Sequence, residues 1–400
     1  MRAAEEITAV ELLAPVGDIT RLPVAIAYGA DAVYLSGKSL GMRAACKNFD
    51  RAELKAAVNM THGKNKKCYV TLNVFPNDDD LKSADEYLQY LSEINVDGLI
   101  ISDLGLIKRA VDKTDIPVHV STQANIMNSD TAKIYADMGV KRIVLARELS
   151  LDQIRVLRDR LDYSVELEAF VHGAMCISYS GRCLLSSYLK GRPANRGECN
   201  QACRMRFKPE GFDEPLEFTE DDGTYIFGGN DLNMIEHMSE LIDAGVTSFK
   251  IEGRVKTEYY VGCVVNSYRH AVDAALKGEK LDGMYVSDLY KAPNRGFNTG
   301  FYFGMPEYGA GEPYCDFCGM ALSDGADGTV IEMRNRFRTG DTLEILSYDD
   351  GCHNKLITVP TMYDEIGEPV TDAKIVCQKL LFKGLHLPKY SMLRKPRVSR

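Results

Sequence analysis

The sequence predicts an α/β fold: a closed (β/α)8 TIM-like barrel, interrupted by a Cys-rich insertion after its seventh strand and followed by a small all-β, barrel-like C-terminal domain. Three observations carry this reading. Short apolar, β-branched runs alternate with longer amphipathic ones over roughly the first 255 residues; the short runs number eight; and from about Gly319 the pattern changes to closely spaced short strands with Gly, Asp and Asn turns. Near-continuous hydrophobic strands alternating with helices indicate a parallel sheet covered by helices, and eight such units in about 250 residues indicate closure.

The strand runs begin in order at Glu11 (ELLAPVG), Ala32 (AVYLSG), Cys68 (CYVTLNVF), Gly98 (GLIISD), Pro117 (PVHVSTQ), Arg142 (RIVLAREL), Val165 (VELEAFVHG) and Ser248 (SFKIEGR). Between them, stretches such as RAELKAAVNMTHG and DQIRVLRDRL place apolar residues at helical spacing. An open doubly wound sheet is the runner-up, but no strand is followed by a convincing G-x-G-x-x-G. About seventy residues separate the seventh and eighth strands, where a βα unit takes about thirty. Since loops after strand C-termini form the active face of such a barrel, the insertion is expected over its mouth. The helical stretch GRVKTEYYVGCVVNSYRHAVDAALKG is the last of the barrel. The expected organisation is therefore a barrel over 1–280 with an insertion at 174–230, a Gly-, Pro- and aromatic-rich linker at 281–315, and a β domain at 316–400.

Composition excludes little. With 45% hydrophobic and 26% charged residues in 400, the chain reads as globular. Its N-terminus lacks a signal-peptide pattern and no run approaches the ~18 apolar residues of a membrane span, so the expectation is a cytoplasmic protein with no membrane partner. The net charge of −9 opposes general nucleic-acid binding, but its distribution is uneven. Gly173–Lys208 carries seven basic residues against Glu198 alone, and the C-terminal KYSMLRKPRVSR has no acid. A basic site and tail on an acidic body can steer an anionic partner.

Four of the eleven cysteines, Cys176, Cys183, Cys199 and Cys203, fall within twenty-eight positions as C-x6-C-x15-C-x3-C. In a reducing compartment, clustered thiols point to metal or redox chemistry. The spacing differs from the paired C-x2-C of a zinc ribbon and has no histidine at zinc spacing, which favours an iron–sulfur cluster over zinc. Cys315 and Cys318, with Cys352 and His353, could form a second site, although unrelated thiols at a linker explain them better.

The segment ELEAFVHGAMCISYSGRCLLSSYLKGRPANRGECNQACR resembles the U32 peptidase family, whose members share E-x-F-x-H-G, a cysteine, and G-x-C-x-L-S. ELLAPVGD, GADAVYLSG, VSTQANIMN, KIEGRVKTEYYV and EMRNRFRTGD are also similar to family blocks, so the resemblance covers most of the chain. Length and the β domain are most similar to the tRNA hydroxylation branch. The resemblance implies a barrel enzyme with a [4Fe-4S] cluster that helps form 5-hydroxyuridine at the tRNA wobble position, with prephenate as co-substrate and the anticodon loop as partner. Self-association, or pairing with another family member, is a further partner expectation. Where some relatives place a downstream ligand this chain has Asn233, which leaves Cys203 as the fourth thiolate.

Strand ends concentrate polar residues at the expected mouth: Asp103, Gln123, Asn125, Arg147, Glu148, Glu168, His172, Glu252 and Arg254, with Arg43 after the second strand. Glu168, His172 and Glu252 could move protons. The forks of Arg43, Arg147 and Arg254, with Gln123 and Asn125, suit a small anionic metabolite such as a dicarboxylate. Tyr179, Phe297 and Phe301 could stack on a base, and Arg192, Arg196, Arg334, Arg336 and Arg338 could contact phosphates. Two further readings stay open: a collagenase-like peptidase, although neither H-E-x-x-H nor G-x-S-x-G is present, and a non-catalytic iron–sulfur scaffold.

Overall fold

The protein is described here by a computed structural model covering residues 10–42, 47–205, 229–306 and 314–397. Its first ten strands are β1 (Glu11–Pro15), β2 (Ala32–Leu35), β3 (Lys67–Leu72), β4 (Gly98–Ile101), β5 (Val118–Val120), β6 (Arg142–Val144), β7 (Glu166–Ala174), β8 (Asp231–Asn233), β9 (Ser248–Ile251) and β10 (Phe297–Asn298). β1 to β7 and β9 are all parallel, and β9 pairs with both β7 and β1. This closes an eight-stranded barrel in which Ser248 of β9 aligns with Glu168 on one side and Glu11 on the other. The expected eighth strand is therefore β9. The extra β8 lies antiparallel to the end of β7 and carries β10 beside it, extending the wall at the rim.

Local chemistry explains the helices around this wall. Asp50 and Glu53 form a capping box at the start of Arg51–His62, and Ser150 and Gln153 do the same for Leu151–Arg160. Asp103, at a strand end, caps Leu104–Lys113 by accepting from the Leu106 amide. The strands between these helices are buried along nearly their whole length, as a sheet covered on both faces requires.

The barrel interior is ionic at its lower end. Arg142 Nη1 donates to Glu11 Oε1 at 2.7 Å and to Glu168 Oε2 at 3.1 Å, while its Nε reaches Glu166 at 2.7 Å. Lys250 Nζ donates to the other oxygen of Glu168 at 2.7 Å, and Tyr69 and Ser248 donate to Glu11. Every charge in this layer has a partner, which the low dielectric demands.

The segment expected as a linker, 281–315, contains the helix Gly283–Lys291, packed on Glu258–Lys277, as well as β10. The C-terminal domain is an eight-stranded antiparallel sheet with a separate two-stranded one, built around its own core of Ile331, Phe337, Leu380 and Phe382. Its Met320, Leu346 and Met392 join the barrel-side core instead. The seam is sealed by fully buried Arg394, which donates to Asp288 at 2.7 Å and Glu344 at 2.8 Å; His353 is 2.8 Å from Asp288. Cys318 faces the β-domain core and Cys315 the barrel side, so the two cysteines point into different clusters. Among the described residues no helix is long and apolar enough to cross a membrane.

Removing one member of the interior network leaves the others uncompensated. Arg142→Met should lower unfolding stability by about 3–5 kcal/mol, read as a shift of the urea midpoint. A midpoint within error of the parent would show that this layer does not depend on Arg142.

Candidate active site

The insertion is held against the barrel by contacts with three strand-end loops. The Phe75 amide donates to the Asn195 carbonyl at 3.1 Å, and Arg196 forks onto Asp80 at 2.8 and 3.2 Å. The Ser180 amide donates to Glu148 at 2.8 Å. Gly181 has φ +78°, and a Cβ there would lie 2.2 Å from the Gln123 carbonyl oxygen, so only glycine allows this approach. Within the insertion, Gly191 ends the helix Leu185–Lys190 in the left-handed region, and Ser186 exchanges hydrogen bonds with Asn200.

This seating brings the four predicted thiols together. Cys176, Cys183, Cys199 and Cys203 line a single cavity of about 150 Å³ over the mouth, with Gln123, Arg147, Arg204, Glu252 and Lys256. Below it, an inner cavity of about 70 Å³ is lined by Tyr34, Thr71, Gln123, Arg147, Lys250, Glu252 and Arg254. A third, larger pocket of about 350 Å³ opens beside the thiols and includes Arg147, Glu148, Cys176, Tyr179, Ser180, Asn298 and Phe301. Arg147 borders all three; its Nη1 donates to the Ala174 carbonyl at 2.6 Å and its guanidinium lies 3.6 Å from the Phe170 ring centroid.

The thiols wall a cavity; among the described residues no three His, Cys, Asp or Glu side chains form a ready-made single-ion site. Four soft sulfur ligands around one space fit a thiolate-held group as a set of donors. Burial raises the Cys176 and Cys203 thiols above their usual range, and the neighbouring cysteines add to it. They are therefore protonated when nothing is bound, and ligation would release protons.

The structure divides the remaining candidates. Glu252, Gln123, Arg147 and Arg254 line the cavities as expected. Arg254 donates to the Met42 carbonyl at 2.7 Å, to Asn48 at 2.9 Å and to Thr71 at 3.1 Å, fixing its fork at the wall. Glu168 does not reach the mouth: it is fully buried, with both oxygens occupied by Lys250 and Arg142, which hold its carboxyl below the usual range against the burial that would raise it. His172 is also displaced from the expected role. A register shift between Phe170 and His172 turns its ring outward among Tyr268, Tyr260 and Phe297, with Nδ1 3.3 Å from Tyr268 Oη. Asn125, at φ 54°, ends the turn Thr122–Ala124 and lines none of the three cavities. Arg43 lies outside the described residues.

Lys250 is the residue the strand-end reading passed over. It sits in the middle of β9, where an apolar residue is usual, and its inward direction appears only once the barrel closes. Of the proposed aromatics, Tyr179 and Phe301 line the side pocket, whereas Phe297 packs on His172 and Tyr290. Among the proposed phosphate contacts, Arg196 is committed to Asp80, Arg334 to Glu332 at 2.7 Å, and Arg336 to Asp372 at 2.9 Å with Arg338 alongside. Arg192 is exposed, with Nε on the Glu198 carbonyl at 3.1 Å.

Comparison with known proteins agrees with this architecture. The model of peptidase family U32 matches residues 17–311, and that of the peptidase family U32 C-terminal domain matches 314–394. The chain is 34% identical over 390 residues to tRNA hydroxylation protein P1 of Bacillus subtilis, covering 93% of this chain and 91% of the relative. It is 45% identical over 301 residues to an uncharacterized protease of Methanocaldococcus jannaschii, covering 74% and 73%. It is also 40% identical over 275 residues to the 23S rRNA 5-hydroxycytidine C2501 synthase of Escherichia coli, covering 67% of this chain and 40% of that longer protein.

The buried imidazole has a consequence for stability. Burial, reinforced by the Lys256 ammonium, pushes His172 down to about 3 from its ordinary 6.5. Between those values the unfolded chain binds the proton and the folded chain does not, so stability is full above pH 6.5 and falls as pH drops. His172→Gln should flatten the slope of stability against pH between about pH 6.5 and 5 by up to about 1.4 kcal/mol per pH unit. An unchanged slope in urea titrations would show that the folded protein protonates this ring.

Proposed function

The chain belongs to peptidase family U32 and carries that family's C-terminal domain, and on that premise we propose that it is an RNA-modifying enzyme that hydroxylates uridine at the tRNA wobble position to 5-hydroxyuridine. The observation that carries the reading is the convergence of four cysteines on one cavity that shares Gln123, Arg147 and Glu252 with the barrel interior. Supporting it, a relative that matches over nearly its whole length bears the name of a tRNA hydroxylation protein.

In this reading Cys176, Cys183, Cys199 and Cys203 hold a [4Fe-4S] cluster, zinc being the alternative occupant. Such a cluster supplies one-electron redox chemistry at a potential set by charge and hydrogen bonds around its sulfurs. The chain's own residues do the positioning. The inner cavity presents Arg147 and Arg254 against the carboxylate of Glu252, with Lys250 at its floor paired to Glu168, a positive lining suited to a small carboxylate. Prephenate is the co-substrate this reading assigns there. Arg147 stands where it can touch that anion from one side and the side pocket from the other. Glu252 is the carboxylate that can take up a proton beside the thiols, with Tyr34 Oη, which donates to the Ile251 carbonyl at 2.9 Å, 3.4 Å from its Oε2. His172 and Glu168 act behind the wall, keeping ring and lysine in place. A cytoplasmic location follows from the substrate.

The peptidase alternative has less to work with. Among the described residues, the thiol and inner cavities offer one carboxylate and no histidine, whereas hydrolysis needs a nucleophile with a base or a metal-activated water.

Anaerobically prepared protein should contain iron and show broad visible absorbance, and Cys199→Ala should lose both; stoichiometric zinc without iron would overturn the cluster assignment. In cells lacking the gene and any paralogue, tRNA digests analysed by mass spectrometry should lose 5-hydroxyuridine. The parent should restore it and Arg147→Lys, which keeps charge but loses the fork, should restore it poorly. Unchanged 5-hydroxyuridine in the deletion strain would reject the tRNA assignment.

A further inference from the structure

The side pocket is the largest of the three cavities, and the reaction proposed above does not by itself say what fills it. Its lining is mixed. Met127, Met175 and Phe301 supply apolar surface, while Glu148, Ser180 and Asn298 supply hydrogen-bonding groups. Tyr179 stands at it 62% exposed. A concave, largely apolar site with a few convergent polar groups is the form of a small-ligand pocket. An exposed aromatic face at such a mouth is what a protein uses to stack an unpaired base. The pocket also shares Arg147, Met175, Cys176 and Ser180 with the thiol cavity, so whatever enters it lies against Cys176.

We infer that this side pocket receives the turned-out uridine base, stacked on Tyr179, and that Glu148 is the residue that distinguishes uridine from cytidine. The inference rests on the tRNA reading above. A carboxylate accepts hydrogen bonds and does not donate them, and an ionised one has about four lone-pair sites. Glu148 Oε1 accepts from the Ser180 amide at 2.8 Å and its Oε2 lies 3.4 Å from the Ser180 hydroxyl, which fixes the side chain at the pocket wall. Its remaining acceptor capacity meets a donor when uridine presents N3–H. Cytidine presents a bare acceptor at the same ring position, so at N3 two acceptors would face each other where uridine makes a hydrogen bond. The side-chain amide of Asn298 can both donate and accept, and so suits the carbonyl beside N3 in either base. Selection therefore falls to Glu148. A loop base costs only a few kcal/mol to unstack, so a recessed pocket is reachable.

The test uses the full chain, prepared anaerobically, with an RNA hairpin whose loop carries a single 4-thiouridine, irradiated and mapped by mass spectrometry. Crosslinks are expected on peptides containing Tyr179 or Phe301. Hairpins with uridine or cytidine at that loop position, in competition, should differ roughly tenfold in affinity, the range one good base-edge contact carries. Glu148→Gln keeps the carbonyl that accepts from Ser180 and adds a donor, so it should retain RNA binding while bringing the two hairpins close to parity. A hairpin that binds with steep salt dependence but crosslinks elsewhere or nowhere, or a Glu148→Gln protein with an unchanged preference, overturns the pocket assignment and leaves the tRNA reading standing. A hairpin that does not bind above background, or is displaced by an unstructured peptide with equal efficiency, overturns both.

Discussion

The barrel depends on one interior arrangement, the ionic layer in which Arg142 of β6 joins Glu11 of β1 and Glu168 of β7 while Lys250 of β9 takes the other side of Glu168. Barrel interiors are usually filled by branched aliphatic side chains. Here the layer ties together the four strands that meet where the first and last elements of the barrel close. Charges in such surroundings are tolerated only as a complete set, and this one links β1, β6, β7 and β9 in the observed register. Inward positions on β9 and its extension then recur with strand period: Ser248 and Lys250 below, Glu252 and Arg254 above. The polarity of the mouth is thus continuous with that of the floor.

The insertion completes the site from above. Its basic residues looked like an RNA footprint, yet the best placed of them, Arg196, anchors it to Asp80. An exposed pair of this kind contributes modestly, but the fork also fixes orientation, and the backbone bond from Phe75 to Asn195 adds to it. The result is a lid of cysteines set over a barrel whose own cavity is small. Exposed Leu184 and Tyr188 remain on the insertion's outer surface, and the three cavities meet at Arg147. A side chain in that position couples whatever occupies one cavity to the others by charge and by fit.

The C-terminal domain is joined to the barrel through a buried polar seam. Arg394 is fully buried between Asp288 and Glu344, Lys291 reaches Glu344 at 2.7 Å, and Tyr28 donates to the Leu346 carbonyl at 3.0 Å. Because Asp288 lies on the helix inside the expected linker, that stretch serves as the socket for the domain. Arg334 pairs with Glu332, and Arg336 and Arg338 share Asp372, so their charge is partly offset at the surface where they sit.

Hydrophobic periodicity and the count of apolar runs were enough to determine the barrel, its eight parallel strands, the insertion and the β domain, because strand and helix periods are local properties of a chain. The clustering of Cys176, Cys183, Cys199 and Cys203 was likewise legible, since close spacing keeps such residues near one another in most folds. What the sequence left undecided was the direction of individual side chains. Glu168 and His172 stand four residues apart on one strand run, and alternation alone would place both on the same face. A register shift past Phe170 instead buries one in the ionic floor and turns the other behind the wall. Lys250 looked like one polar residue inside a strand until closure of β9 between β7 and β1 directed it into the cavity. Likewise, whether an arginine meets a partner or a ligand depends on which acids the fold brings near it. Strand pattern is written in neighbours along the chain, but the composition of a cavity is set by residues brought from six or more separate strands and loops, and only the closed barrel determines which of them face one another.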